Sequence, residues 1–147
     1  MIRKISLLDI DRFNELGLLV NSNFIVLFKL EELVNSSYDF IFGYYDNDQL
    51  IGFVHVSKMY EVVDIVNVVV DINNRRRGIA TELLNYVFNF FSDVTSYILE
   101  VNEKNSSAIL LYQKLGFKLI NTRKKYYGND DAYIMKRDVL WWKMYIY

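Results

Sequence analysis

The sequence predicts an α/β (α+β) domain, a mixed central β-sheet of about six to seven strands flanked by about four helices. Three observations lead there. The chain has 147 residues, enough for one compact domain spanning 1–147, and 52% of them are hydrophobic, enough to fill its core. Short Val- and Ile-rich or alternating runs recur along the chain. Between Glu61–Asp71 and Tyr97–Val101 the apolar period switches from that of a strand to that of a helix and back.

Ile2 to Ser6 reads as a first strand, and Ser6-Leu7-Leu8-Asp9 as a capping-box-like helix start with Asp in place of Glu or Gln. A helix over about Leu8–Leu16 follows, then a second amphipathic helix over about Phe24–Val34. Tyr38–Tyr45 and Leu50–Met59 form a hairpin pattern turned by Asp46-Asn47-Asp48. Glu61–Asp71 has the composition of a buried central strand. Ile79, Leu83, Val87 and Phe90 then share one helical stripe, with Glu82, Asn85 and Asn89 facing water. After the strand Tyr97–Val101, Asn105 caps a helix that carries Ala108, Ile109, Leu111, Tyr112 and Leu115 inward and ends at Gly116. Phe117–Lys125 and Ala132–Arg137 complete the sheet, and an aromatic tail over 138–147 contains Trp141 and Trp142.

Composition removes several kinds of chemistry. With no cysteine there is no disulfide framework, thiolate nucleophile or Cys-based zinc site, and the single histidine, His55, cannot build a His-rich metal cluster. No metal site is expected. His55 lies between Val54 and Val56 and reads as a structural histidine. A net charge of −1 gives no overall attraction to nucleic acid. The early charges at Arg3 and Lys4 are unlike a secretory signal, and no run of about 18 apolar residues suits a membrane span, so the cytoplasm is the expected compartment.

Chemistry enters at Arg75-Arg76-Arg77-Gly78-Ile79-Ala80-Thr81, between the central strand and the long helix. A strand feeding a helix through a small-residue turn exposes backbone N–H groups at the positive end of the helix dipole, where phosphate binds. Gly78 would admit the anion closely and Ala80 would keep the next turn uncrowded, while the arginines add forked donors. A solvated Arg cluster at a helix start is the plain alternative, and a basic nucleic-acid patch a third.

Arg75-Arg76-Arg77-Gly78-Ile79-Ala80 resembles the acetyl-CoA-binding Q/R-x-x-G-x-G/A segment of the GNAT N-acetyltransferase superfamily. Leu99-Glu100-Val101-Asn102-Glu103-Lys104-Asn105-Ser106-Ser107-Ala108, continuing into Leu111-Tyr112-Gln113-Lys114-Leu115-Gly116-Phe117, resembles the L-E-V-x-x-x-N-x-x-A-x-x-L-Y-x-x-x-G-F block of RimI-type ribosomal-protein-alanine N-acetyltransferases. The run Arg123-Lys124-Lys125-Tyr126-Tyr127, with Asp131-Ala132-Tyr133-Ile134-Met135, is similar to that subfamily's basic, paired-Tyr ending. The resemblance covers about residues 50–137 and implies a GNAT fold that takes acetyl-CoA as co-substrate.

It also implies roles. Glu100 would be the general base that removes the ammonium proton, directly or through water, and Tyr112 the general acid for the departing thiolate. Without the resemblance, Glu100 reads as a strand-end carboxylate in a surface ion pair and Tyr112 as a core aromatic beside Ile109 and Leu115. Asn105 would contact CoA while capping its helix, and Val68, Val69 and Val70 would lend backbone groups to the pantetheine arm. Arg75, Arg76, Arg77, Gly78, Ile79, Ala80 and Thr81 would hold the phosphates. Asn67 marks a bulge or a polar contact to the acceptor. Tyr126 and Tyr127 line an acceptor-peptide channel or are ordinary strand aromatics.

The resemblance further implies an acceptor, the N-terminal alanine of a small-subunit ribosomal protein, with no nucleic-acid or membrane partner and a monomer or weak homodimer. An α-amino group, with pKa about 7.7–8.0 against about 10.4 for lysine, is the easier nucleophile to deprotonate. Two departures qualify this. Asn21-Ser22-Asn23-Phe24 replaces the Phe-Ser-x-Pro-Trp-like segment where acceptors are gripped, and Asp71-Ile72 replaces His-Pro after the central strand, altering the loop. A GNAT enzyme acting on a small amine or a lysine side chain is therefore one alternative, and a non-catalytic CoA-binding domain another.

Overall fold

A computed structural model describes residues 1–139. The tail residues Trp141 and Trp142 lie outside the described residues. Among those described, β1 (Ile2–Lys4), β2 (Asp39–Asp46), β3 (Gln49–Met59), β4 (Val62–Val70), β5 (Ser96–Asn102), β6 (Lys118–Tyr127) and β7 (Asp130–Asp138) form one mixed sheet in the order β1-β2-β3-β4-β5-β7-β6. β4 and β5 run parallel, joined through α4 (Ile79–Phe90), whereas the β1–β2, β2–β3, β5–β7 and β6–β7 pairs are antiparallel. The remaining helices are α1 (Ile10–Gly17), α2 (Phe24–Leu27), α3 (Leu30–Leu33) and α5 (Ser106–Lys114). The α/β sheet architecture expected from the sequence is present. No helix among the described residues is long and apolar enough to cross a membrane.

Local chemistry sets the element ends. Ser6 Oγ accepts from the Leu8 N–H and the Ser6 N–H donates to Asp9, so the expected capping box starts a short 3-10 turn, Leu7–Asp9, ahead of α1. Asn47 and Asp48, at φ 51° and 62°, make a two-residue turn whose left-handed backbone matches the twist of the flanking strands. Gly116, at φ 92°, ends α5, and the Phe117 N–H returns to the Tyr112 carbonyl at 2.9 Å.

The second expected helix is broken. Phe28 leaves the helical region at φ −127°, ψ 87°, dividing it into the single turns α2 and α3. Packing explains the break. In one continuous helix Phe24 and Leu30 would lie about 120° apart around the axis. Interrupting it at Phe28 lets both bury fully and brings the Phe28 ring within 4.9 Å of Phe24 and 5.8 Å of His55. Phe90 also departs from its expected inward stripe and is 43% exposed, while Leu84 takes a fully buried place.

The chain divides into two compact units, Met1–Lys58 with Val66–Phe91, and Met59–Ile65 with Ser92 onward. In the first, Ile5, Phe13, Leu16, Phe24, Leu30, Phe53 and Val69 form the core, with the Phe13 ring 5.2 Å from Phe24 and 4.7 Å from Phe53. His55 is buried there, its Nε2 2.7 Å from Asp39 Oδ1, as befits a structural histidine. Gly17 is fixed by this packing, because a Cβ there would meet the Phe24 ring at 2.0 Å. Gly17→Ala is expected to lower unfolding stability by about 3 kcal/mol, read from urea denaturation, by expelling a fully buried ring.

In the second unit, Val63, Ile65, Tyr97, Leu99, Val101, Phe117, Ala132 and Met135 are buried. The β4–β5 ladder pairs Val62–Ile65 with Ser96–Leu99 and goes no further. Glu100 is thus the first residue of β5 past that ladder.

Candidate active site

The first unit carries the Arg-rich loop. Gly78 opens α4 in the left-handed region at φ 75°, ψ 15°, and a Cβ there would have no neighbour within 4 Å. The first helical hydrogen bond comes from Glu82 N–H to the Gly78 carbonyl. The amides of Ile79, Ala80 and Thr81 are therefore left without an intrahelical acceptor. Arg75, Arg76, Arg77 and Gly78 are exposed, whereas Ile79 is buried and anchors the helix. Arg75 Nε donates to the Val70 carbonyl at 3.2 Å, and Arg77 donates to Asn74 Oδ1 at 2.7 Å and faces Asp46 at 3.6 Å. Arg76 has φ 66° and makes no hydrogen bond or ion pair among the described residues.

A residue read only as a loop change holds this turn. Asp71 accepts from the Asn73 N–H at 3.2 Å to start the 3-10 turn Ile72–Asn74, and forms an ion pair with Arg12 of α1. Arg12 also donates to the Leu50 carbonyl at 2.8 Å. The hydrogen bond from Arg12, aided by the Asn73 amide, holds the Asp71 carboxyl below its ordinary pKa. Asp71 therefore ties the strand-to-helix turn to α1 rather than merely altering a loop. Along β4, Val69 is buried and Val68 and Val70 are half-buried. The Nδ2 of Asn67 is buried with no hydrogen-bond partner among the described residues, so this amide has a donor to offer.

The second unit carries the acid–base candidates. Glu100, paired in register with Ile134 of β7, forms an ion pair with Arg123, whose Nη1 lies 2.9 Å from Glu100 Oε1. The partly exposed ion pair that is the plainer reading of Glu100 is thus present, made through Oε1. Tyr126 and Tyr127 sit at the exposed end of β6 with rings 5.1 Å apart, and the Arg123 guanidinium lies 5.5 Å from the Tyr126 centroid. Burial first, and then the Glu100 carboxylate, raise the Tyr127 pKa. Asn105 caps α5 as expected, its Oδ1 accepting from the Ala108 N–H at 3.3 Å. Two turns on, Tyr112 stacks edge-on against Phe117 at 5.8 Å, and burial pushes its phenol up to about 12. Its hydroxyl makes no hydrogen bond among the described residues.

Glu100, Arg123, Tyr126 and Tyr127 are therefore one cluster, and Arg75 to Thr81 with the end of β4 another. The ion pair to Arg123 was not read from the sequence, where that residue is one of three adjacent cations. Its signal, an Arg two strands from a Glu, exists only once β7 is known to lie between them.

The sequence profile of the acetyltransferase (GNAT) family matches residues 11–117. The chain belongs to that family. It is 32% identical over 95 residues to the [Ribosomal protein bS18]-alanine N-acetyltransferase of Salmonella typhimurium, covering 60% of this chain and 64% of that enzyme. The chain spans less than two thirds of the length of these curated relatives, and only 31% of a Mycobacterium leprae protein to which it is 35% identical. Among solved structures, the ribosomal-protein-S18-alanine N-acetyltransferase from Escherichia coli superposes with a TM-score of 0.83 over 95% of this chain and 93% of that one, at 21% identity. The PaiA N-acetyltransferase from Thermoplasma acidophilum, solved in complex with coenzyme A, has a TM-score of 0.81 over 95% and 98% of the two chains, at 20% identity. At such identities these two likenesses are of the GNAT fold.

Proposed function

We propose that this GNAT chain transfers the acetyl group of acetyl-CoA directly to a protein N-terminal α-amino group, with the N-terminal alanine of a small-subunit ribosomal protein as its acceptor. One observation carries the cofactor half. Gly78 opens α4 in a left-handed conformation, beside exposed arginines, with clear space where a side chain would stand. A pyrophosphate would lie there, against N–H groups at the positive helix end. Arg75, Arg76 and Arg77 would add charge, Val68 to Val70 would pair with the pantetheine amides, and Asn105 would use its remaining amide donors. Acetyl-CoA supplies an activated thioester. The acceptor half leans on the 32% identity to the Salmonella enzyme.

In this reading Glu100 accepts the ammonium proton through the carboxylate oxygen that Arg123 leaves open, directly or by way of a water. Tyr112 gives a proton to the departing thiolate. Its pKa of about 12 keeps it protonated at every working pH, though the gap of roughly 3.5 units to a thiol makes the transfer about 5 kcal/mol uphill before hydrogen bonding offsets it. The Asn67 amide and the tyrosines Tyr126 and Tyr127 would grip the acceptor backbone.

A pH dependence follows with a definite sign. A phenol whose pKa is raised loses its proton only as pH climbs toward about 12, so kcat/KM is expected to show no fall by pH 10. A descending limb centred below pH 10 would remove Tyr112 from the acid's role. The acceptor class is tested by mass spectrometry of N-terminal peptides, ribosomal ones included, incubated with acetyl-CoA. Acetylation of alanine-initiated peptides supports the reading. Acetylation restricted to lysine side chains or small amines sustains the family chemistry and rejects the acceptor, and CoA binding without turnover on any amine leaves a non-catalytic domain.

A further inference from the structure

The ion pair between Arg123 and Glu100 crosses a strand. Glu100 is on β5 and Arg123 on β6, with β7 between them. In the register, Asn102, Ala132 and Arg123 form one row, and Glu100, Ile134 and Asn121 the next, two residues along. Directly opposed residues of antiparallel strands share a face, so Glu100 and Arg123 project from the same side of the sheet. The residue of β7 beside Arg123 is Ala132, fully buried and too small to obstruct a guanidinium reaching toward β5.

The backbone under Arg123 is held as well. It is the last residue of β6 in regular register before an irregularity that runs to Tyr127 and contains Lys125 at φ 53°. That irregularity is tied down by Asp131, which accepts from the Lys125 N–H at 2.8 Å and pairs with Lys124 at 3.4 Å. Asp131 thus engages the Lys124 side chain and the Lys125 backbone, while the Arg123 side chain pairs with Glu100. The Tyr126 ring flanks its guanidinium at 5.5 Å. An ion pair between side chains 51% and 29% exposed adds little to stability. Its main consequence is to fix where the carboxylate points.

We infer that Arg123 is the positioning residue for the general base. By binding Oε1 it locks the Glu100 side chain in one orientation and leaves Oε2 as the oxygen that meets the acceptor amine. This inference rests on the reading of Glu100 as that base. The single Nη1–Oε1 contact asks for a charged donor and not for a bidentate fork, so lysine is expected to substitute in part.

The test is a double-mutant cycle on the whole chain, with acetyl-CoA and an alanine-initiated peptide that the unmodified chain acetylates. Arg123→Gln is expected to lower kcat about 10- to 100-fold, as small misplacements of a catalytic group do, with KM for acetyl-CoA unchanged. Arg123→Lys is expected to restore most of the loss. In a Glu100→Gln background, Arg123→Gln is expected to cost nothing more. An Arg123→Gln chain with unchanged or higher kcat, a loss that lysine leaves unrepaired, or a loss that multiplies with that of Glu100→Gln overturns the inference. If Arg123→Gln does not fold, the lysine variant decides the matter through its kcat alone, near-normal turnover in support and a 10-fold or larger loss against. Full turnover by Glu100→Gln defeats the base reading and this inference with it, whereas a loss there and none at Arg123 defeats only this inference.

Discussion

Replacing Glu100 with glutamine is expected to lower kcat about 10²- to 10⁴-fold while CoA affinity and the unfolding temperature stay close to those of the unmodified chain. Glutamine keeps the shape of the side chain and can still accept a hydrogen bond from Arg123, but it cannot take a proton from an ammonium. The partly exposed ion pair it removes is worth about 1 kcal/mol at most, so stability is a poor witness and turnover a good one. Steady-state kinetics on an N-terminal peptide, with calorimetric titration of CoA in parallel, separates the two. Undiminished kcat would mean that solvent, or another group, deprotonates the amine.

Gly78→Asp is expected to weaken CoA binding on the order of 100-fold, about 2.7 kcal/mol, while leaving the fold in place. The position is left-handed at φ 75° with nothing within 4 Å of where a Cβ would stand, so the protein itself has room for the side chain. Aspartate tolerates this conformation better than most residues, and a carboxylate at the first turn of α4 interacts favourably with the helix dipole. The features that spare the helix are those that harm the ligand, because the new anion would occupy the space and the positive potential on which the pyrophosphate depends. Thermal unfolding and CoA titration are therefore expected to move independently. An unchanged Kd would relocate the phosphates away from this turn.

What the sequence made legible follows distance along the chain. The Ser6–Asp9 capping box, the Asn47–Asp48 turn, the Asn105 cap and the Gly116 stop involve partners within a few residues, so their chemistry is written locally. Gly78 at the head of α4 belongs to the same class. The break at Phe28 was not legible, because the period of Phe24–Val34 suits a helix and only the need to bury both Phe24 and Leu30 interrupts it. Nor was the sheet order, which places β7 between β5 and β6. Arg12 with Asp71, 59 positions apart, and Arg123 with Glu100 were hidden for the same reason. Each pair is made by the tertiary fold, and in both cases a charged residue that looked ordinary in sequence holds a candidate functional element in position.

Whether this chain moves an acetyl group from acetyl-CoA onto a protein's N-terminal nitrogen can be measured directly. Fragmentation mass spectrometry of one peptide that begins with alanine and carries an internal lysine, after incubation with the chain and acetyl-CoA, locates the product. The expected result is a single acetyl group on the α-nitrogen of the alanine. Acetylation confined to the lysine, or an unmodified peptide under conditions where CoA binds, would contradict it.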